Sequence, residues 1–346
     1  MSDPSHNGPA ASMDGVTRGV NEMYTRFPYP SPTAGRRKYK ELANLLGLYA
    51  RETGFDLTSK RILDGGTGTG HRLAEAALMF KQASFTAIDL SEASLSVARA
   101  TAAQAGLDNV EFRRHNLLDD TRIGTFDIVM SMGVLHCLSD PKRGLRNLVR
   151  NLADPGVVFL YLYGKLGSRE RMRRKAVVAT LLRGAVDFER GIQMVKDLGF
   201  ELDEYGWKYD GDDEPTRNGM IVDAFLNVND ILYDSDDIHD LVTGSGVYAW
   251  SLYGITTRDS GLLFDVGGMA GETSSRALMP RTMNMAQYLT SDLVRGAYAA
   301  LDVREKYRLA DLLYQPNGYT VVSFSRKSFE SLPQDHRLRR NAIIVG

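Results

Sequence analysis

The sequence predicts an α/β fold, a doubly wound and mostly parallel sheet. Three observations carry that prediction. Between residues 60 and 163, short apolar runs alternate with helix-length amphipathic segments, the rhythm of βαβ units. The first run, ILDGGTGTG (62–70), passes from strand into a glycine-rich loop that opens a helix. A second run, SFTAIDL, carries Asp89 near its end, nineteen residues past Gly70. A doubly wound sheet places a carboxylate for ribose hydroxyls there.

Composition narrows the class. A chain of 346 residues with 43% apolar and 25% charged residues is typical of soluble globular proteins. The net charge of -1 removes the general electrostatic footprint of a nucleic-acid or membrane-surface protein. No run approaches a spanning length, and the first residues, MSDPSHNGPAASMDG, lack the apolar core of a secretory signal. The single cysteine, Cys137, excludes an internal disulfide framework and a thiolate zinc site. The expectation is a cytoplasmic, metal-free protein with neither nucleic acid nor membrane as partner.

Read in order, residues 1–20 are polar and expected to be a disordered tail. Residues 21–50 form an aromatic and proline-rich arm leading into a helix whose leucines fall at helical spacing (Leu42, Leu45, Leu46, Leu48). Residues 51–164 make the sheet core, with strands at KRILDGG, SFTAIDL, VEFRRHN, FDIVMSMGV and VVFLYLYG. The rhythm breaks over 165–245, an expected insertion that caps the site. Residues 246–330 return to the sheet at VYAWSLYGI and YTVVSFSRK, with a second, mostly helical insertion between them. Residues 331–346 read as a C-terminal tail.

The glycine loop asks for a ligand close to its backbone. Its glycines, Gly66, Gly68 and Gly70, follow GxGxG, and position 71 is His where a dinucleotide loop wants Gly or Ala. The spacing suits a nucleoside without a pyrophosphate. Asp64, Thr67, Asp89 and Leu90 flank that position. Asn116 and Leu117, after the third strand, are in range of an adenine edge; Ser131, Met132, Gly133 and His136 follow at the end of the fourth.

The order hLDxGxGxG … hDh … FDhVhsxgvLHxLxDP resembles the class I S-adenosylmethionine-dependent methyltransferases over about residues 45–163. The resemblance implies a seven-stranded sheet, S-adenosylmethionine as cofactor, and transfer of its methyl group by in-line displacement. YTRFPYP (Tyr24–Pro30), YLYGKLGSRERM and DAFLNVNDILY are similar to a bacterial subgroup that includes protein lysine methyltransferases and tetratricopeptide-fused relatives. There an N-terminal arm folds over the cofactor, which makes Tyr24 and Tyr29 candidate lid residues. Three departures stand out: Gly65 replaces a bulkier apolar residue, Asn116 a common Asp, and Asn227-Val228 the usual His-Pro.

For the acceptor, the acidic loop YDGDDEP places Asp210, Asp212, Asp213 and Glu214 beside Trp207 and Tyr209. Carboxylates with aromatic faces suit a guanidinium or ammonium. The candidate catalytic residues are therefore Tyr24, His136, Asp212 and Glu214. The leading expectation is methylation of a nitrogen in a cationic acceptor, either a free arginine- or lysine-like molecule or a protein side chain. O-methylation of a natural-product hydroxyl or carboxylate, with His136 as base, and a non-catalytic cofactor-binding module are the alternatives. Oligomeric state, a homodimer included, stays open.

Overall fold

The computed structural model describes residues 13–33, 39–120, 122–200, 213–258, 260–267 and 281–346. The chain opens with α1 (Gly15–Arg26) and α2 (Glu41–Thr53). Then come β1 (Arg61–Gly65), α3 (His71–Met79), β2 (Ser84–Asp89), α4 (Glu92–Gln104), β3 (Val110–Arg114) and β4 (Phe126–Met132). Next are α5 (Pro141–Val149), β5 (Leu152–Tyr163), α6 (Arg169–Leu181), α7 (Phe188–Asp197), α8 (Glu214–Ile221) and α9 (Ser235–Val242). After β6 (Ala249–Thr256), β7 (Gly261–Leu263) and β8 (Arg281–Thr282) follow α10 (Asp292–Ala300) and α11 (Val303–Tyr314). The chain closes with β9 (Gly318–Phe324), α12 (Arg326–Glu330), α13 (Arg337–Arg340) and β10 (Ile343–Ile344).

The sheet order is β3-β2-β1-β4-β5-β9-β6-β7-β8, with β10 pairing β6. Strands β1 to β5 are parallel; β9 runs antiparallel to both β5 and β6. The seven strands from β3 to β6 make the expected core, and short β7, β8 and β10 extend it. Alternation sends Ile62, Ile128 and Phe159 to one face and Leu63, Val129 and Leu160 to the other. Leu42 and Leu45 of α2, Leu73 of α3 and Phe329 of α12 cover the first face. Leu145 and Leu148 of α5, Ile238 of α9 and Tyr307 of α11 cover the second. Each buried side chain of this size contributes roughly 1.5–3 kcal/mol. Because β1 connects to β2 on one side and pairs with β4 on the other, the crevice at their C-terminal ends is the topological switch point.

Three boundaries differ from the sequence expectation. Helix α1 begins at Gly15, inside the stretch expected to be disordered. Asp14 caps it by accepting from the Thr17 amide at 2.9 Å, and Met23 is wholly buried. Local propensity is poor there, so tertiary docking holds the helix. Met23 packs with Val178, Leu182, Phe188, Ile192 and Phe225, a small separate core that joins the arm to α6, α7 and α8 as a cap. Helix α9 belongs to the sheet face instead of the cap, which shortens the insertion. The C-terminal residues are docked as well: β10 pairs with β6, and Arg337 binds Glu52 while donating to the Tyr253 and Phe264 carbonyls at 3.1 and 3.0 Å. Among the described residues no helix is long and apolar enough to cross a membrane.

Gly65 now has a physical reason. A Cβ there would lie 2.7 Å from Leu148 Cδ2 and 3.4 Å from Leu117 Cδ2, so α5 fills the space a bulkier residue takes elsewhere. Gly65→Ala is expected to cost about 1–3 kcal/mol in urea unfolding by overpacking. Combining it with Leu148→Ala is expected to cost less than the sum of the two single changes.

Candidate active site

The glycine loop is fixed before any ligand arrives. The Gly66 and Thr67 amides donate to the Ile88 carbonyl at 2.8 and 3.0 Å, tying the loop to β2. Asp89, at the end of β2, accepts from the Gly68 amide at 2.8 Å with one oxygen and from the Ser91 amide at 2.9 Å with the other. Burial raises its pKa while these amides pull it back down. Gly68 sits at φ +57, and a Cβ on it would lie 2.4 Å from the Tyr29 carbonyl oxygen. The arm crosses directly over the loop: Thr69 donates through its amide to Tyr29 at 3.3 Å and through its hydroxyl to Pro30 at 2.8 Å.

Under this crossing lies a cavity of about 600 Å³, within the range of small-molecule sites, roughly 300–1,000 Å³. Gly66, Thr67, Gly68, Asp89, Leu90, His115, Asn116, Leu117, Met132 and Gly133 are among its lining residues. These groups fit a nucleoside: a carboxylate at the end of β2, an apolar side chain at Leu117, and a loop with no Cβ facing the cavity at Gly66 or Gly68. Asn116 Oδ1 accepts from the Leu118 amide at 3.0 Å, so its built role is to shape the turn that presents Leu117.

Other sequence candidates lie behind the wall. Asp64 is buried beneath the loop, and burial pushes its carboxyl up to about 6. Ser131 is fully buried and donates to the Gly65 carbonyl at 2.9 Å, pinning β4 to β1. Gly70 starts α3 and packs against Ala98 instead of facing the cavity. His136 lies on the short 3₁₀ turn Leu135–Cys137, which rotates its ring inward against Tyr163, 4.5 Å between centroids. Both ring nitrogens are buried without a hydrogen bond among the described residues, and burial lowers the pKa to about 4. It is not positioned as a base for a cavity ligand.

The cap and β5 supply further lining of the cavity. Tyr24 donates to Asp223 Oδ1 at 2.8 Å, and both line the cavity with Tyr29, Tyr161 and Tyr163. Asp223 sits on a π-helical turn, Val222–Leu226, a local irregularity often found at functional sites. Burial raises the Asp223 carboxyl above its ordinary range; burial, then the Asp223 charge, raises the Tyr24 phenol. The turn is braced from behind by Arg171, which donates to the Ala224 carbonyl at 3.1 Å and pairs with buried Asp230 at 2.6 Å. Asn227 bonds Cys137 Sγ at 3.5 Å and accepts from the Asn229 amide, a structural position.

Sequence reasoning missed Asp223, Arg72, Glu41, Tyr161 and Tyr163. Asp223 opens the singled-out motif DAFLNVNDILY, and Arg72 stands two residues after the last loop glycine, so both signals were in view. The acidic loop fares otherwise. Trp207, Tyr209, Asp210 and Asp212 lie outside the described residues. Asp213 caps α8 through the Thr216 amide at 2.9 Å, and Glu214 is exposed, pairing with Lys196 at 3.0 Å away from the cavity lining. Glu214 is thus corrected from an acceptor-orienting residue to a helix-start carboxylate.

Two outcomes follow from this geometry. Gly68→Ala is expected to leave the fold intact but unseat Tyr29, weakening S-adenosylhomocysteine by about tenfold or more in calorimetric titration. His136 is neutral in the folded chain down to about pH 4 but takes a proton near pH 6.5 when unfolded. The unfolded state then binds more protons in that window, so stability falls as pH drops from 6.5 towards 4. His136→Leu is expected to flatten that loss, by on the order of 3 kcal/mol at the acid end, in urea melts across pH.

Comparison with known proteins gives the site its context. Residues 57–179 match the family model for a methyltransferase domain. The uncharacterized protein syc1184_c of Synechococcus is 28% identical over 325 residues, spanning 88% of this chain and 70% of that protein. Malonyl-[acyl-carrier protein] O-methyltransferase of Bacillus anthracis is 30% identical over 108 residues, 31% of this chain and 39% of that enzyme. Among solved structures, PKMT2 from Rickettsia typhi superposes with a TM-score of 0.57 at 16% identity, covering 86% of this chain and 55% of its own. Its complex with AdoHcy gives 0.56 at the same identity, covering 85% and 56%. The chain spans about half the length of PKMT2, and that likeness is one of fold. The family match lies within residues 57–179 and the likeness to PKMT2 is one of fold, while the glycine loop, Asp89 and Leu117 are the groups that would hold S-adenosylmethionine.

Proposed function

We propose that the protein transfers a methyl group from S-adenosylmethionine to a nitrogen of a cationic acceptor. The observation that carries this is Asp223, a buried carboxylate on the wall of a tyrosine-lined cavity that the glycine loop also lines. Carboxylate and aromatic faces together favour an ammonium or guanidinium over a neutral hydroxyl. When bound, the cofactor supplies a methyl carbon on a sulfonium, whose sulfur leaves as a neutral thioether as the N–C bond forms.

The chain's own residues handle the proton and the alignment. An ammonium must lose a proton before its lone pair can attack, and Asp223 with its raised pKa is suited to receive it. Tyr24 keeps its phenolic proton and fixes the carboxylate by donating to it. Tyr29 and Tyr163 hold the acceptor in line, where orientation alone recovers on the order of 7–11 kcal/mol of barrier. O-methylation is the second reading, favoured by the name of the Bacillus relative. It lacks the base expected of it, since His136 faces away.

Asp223→Asn keeps the shape and removes the proton acceptor. It is expected to lower kcat/KM about 100-fold while S-adenosylhomocysteine affinity holds. In the wild type, activity should fall as pH drops through the raised Asp223 pKa, above the ordinary carboxylate range, and the variant should lack that limb. Undiminished turnover by the variant contradicts the proposal.

A further inference from the structure

Arg72 is a cavity-lining cation with no ion pair among the described residues. It stands in the first turn of α3, lines the cavity, and stacks on Tyr29 with its guanidinium carbon 5.9 Å from the ring centre. Its one hydrogen bond among the described residues is a long one, 3.4 Å, to the Met132 carbonyl. No carboxylate among those residues lies within ion-pair distance of it. Burial disfavours the Arg72 charge and the nearby Tyr29 and Glu41 offset that at longer range, while its N–H donors not bonded to Met132 stay open to an anion in the cavity. Its planar fork suits a carboxylate, held by two parallel N–H···O bonds.

The Arg72 charge reaches Tyr29, Tyr39 and Glu41 from the arm and α2, Tyr161 and Tyr163 of β5, and Asp64 beneath the glycine loop. It is also near enough to act on Asp223. Of these, Tyr29, Tyr39, Glu41, Tyr161, Tyr163 and Asp223 line the cavity together with Arg72. Glu41 adds a second carboxylate to that lining, its Oε2 shielded and without a hydrogen bond among the described residues. The cavity wall is therefore amphoteric, with carboxylates at Asp223 and Glu41 and a guanidinium at Arg72.

Resting on the N-methylation reading, we propose that the acceptor is a free amino acid or a similar small zwitterion. Its carboxylate is received by Arg72 while its amine faces Asp223. A lysine or arginine side chain within a folded protein brings no carboxylate to this position. Attack forms the new N–C bond, the bond from carbon to sulfur breaks with its electrons left on sulfur, and the proton lost from the amine passes to Asp223.

The test pairs transfer with binding. Labelled S-adenosylmethionine is offered to the full chain with free amino acids and with the amines left when each carboxylate is removed. Titrations of the S-adenosylhomocysteine-loaded protein with the same compounds run beside it. The wild type should prefer the free amino acids by about tenfold or more, the worth of one charge-assisted pair. Arg72→Met should lose that preference, and Arg72→Lys should restore part of it. Both variants should bind S-adenosylhomocysteine and methylthioadenosine, which lacks the carboxylate, in the wild-type ratio. Equal labelling of the decarboxylated amines by the wild type overturns the proposal. So does failure of every free amino acid to bind the loaded protein. A selective loss of S-adenosylhomocysteine against methylthioadenosine in Arg72→Met overturns it too, because Arg72 would then serve the cofactor's own carboxylate. Base-labile label, a methyl ester, marks failure of the N-methylation reading itself, and is told apart from base-stable label on nitrogen.

Discussion

The close passage of Tyr29 over Gly68 is the constraint on which the site depends. The carbonyl of Tyr29 occupies the space a Cβ would need, and Thr69 grips the crossing chain through its amide and its hydroxyl. The same arm carries Met23 into the cap core and Tyr24 onto Asp223. Seating the arm therefore ties the glycine loop and Asp223 to one segment of chain. A glycine at position 68 is needed for contact with the arm as much as for contact with a ligand.

The acceptor wall is expensive to build, and the structure shows where support comes from. Asp223 lies on a π-helical turn whose Ala224 carbonyl is held by Arg171, and Arg171 is neutralised by Asp230, which also receives Lys175 at 3.3 Å. Buried pairs of this kind contribute little net stability but are costly to break from one side. Arg171 also lies over the Tyr163 ring, so one cation braces two walls of the cavity. The insertion after β5 thus does more than cover the sheet; it braces Asp223 and Tyr163 in the cavity wall.

What the sequence made legible was local. The alternation of apolar runs and helices, the loop glycines and Asp89 at its strand end all follow from short-range rules, and the parallel half of the sheet is as expected. Tyr24 and Tyr29 were readable only through the resemblance of YTRFPYP to a subgroup in which an N-terminal arm folds over the cofactor. His136 and Ser131 misled because closeness in sequence to the end of β4 does not fix direction: one residue faces Tyr163 and the other pins Gly65. Glu214 misled because a run of acids was read for charge, when the first turn of a helix explains its two described members. Asp223 and Arg72 escaped because each acquires meaning only across the cavity, between the cap and α3, a distance no local pattern encodes.

A crystal structure of the chain with S-adenosylhomocysteine bound tests the central claim most directly. The account predicts the ribose hydroxyls on Asp89, the base against Leu117, the arm seated over Gly68, and the sulfur turned towards Asp223 and the tyrosines. A sulfur pointing away from Asp223, or an arm displaced from the glycine loop in the complex, would contradict it.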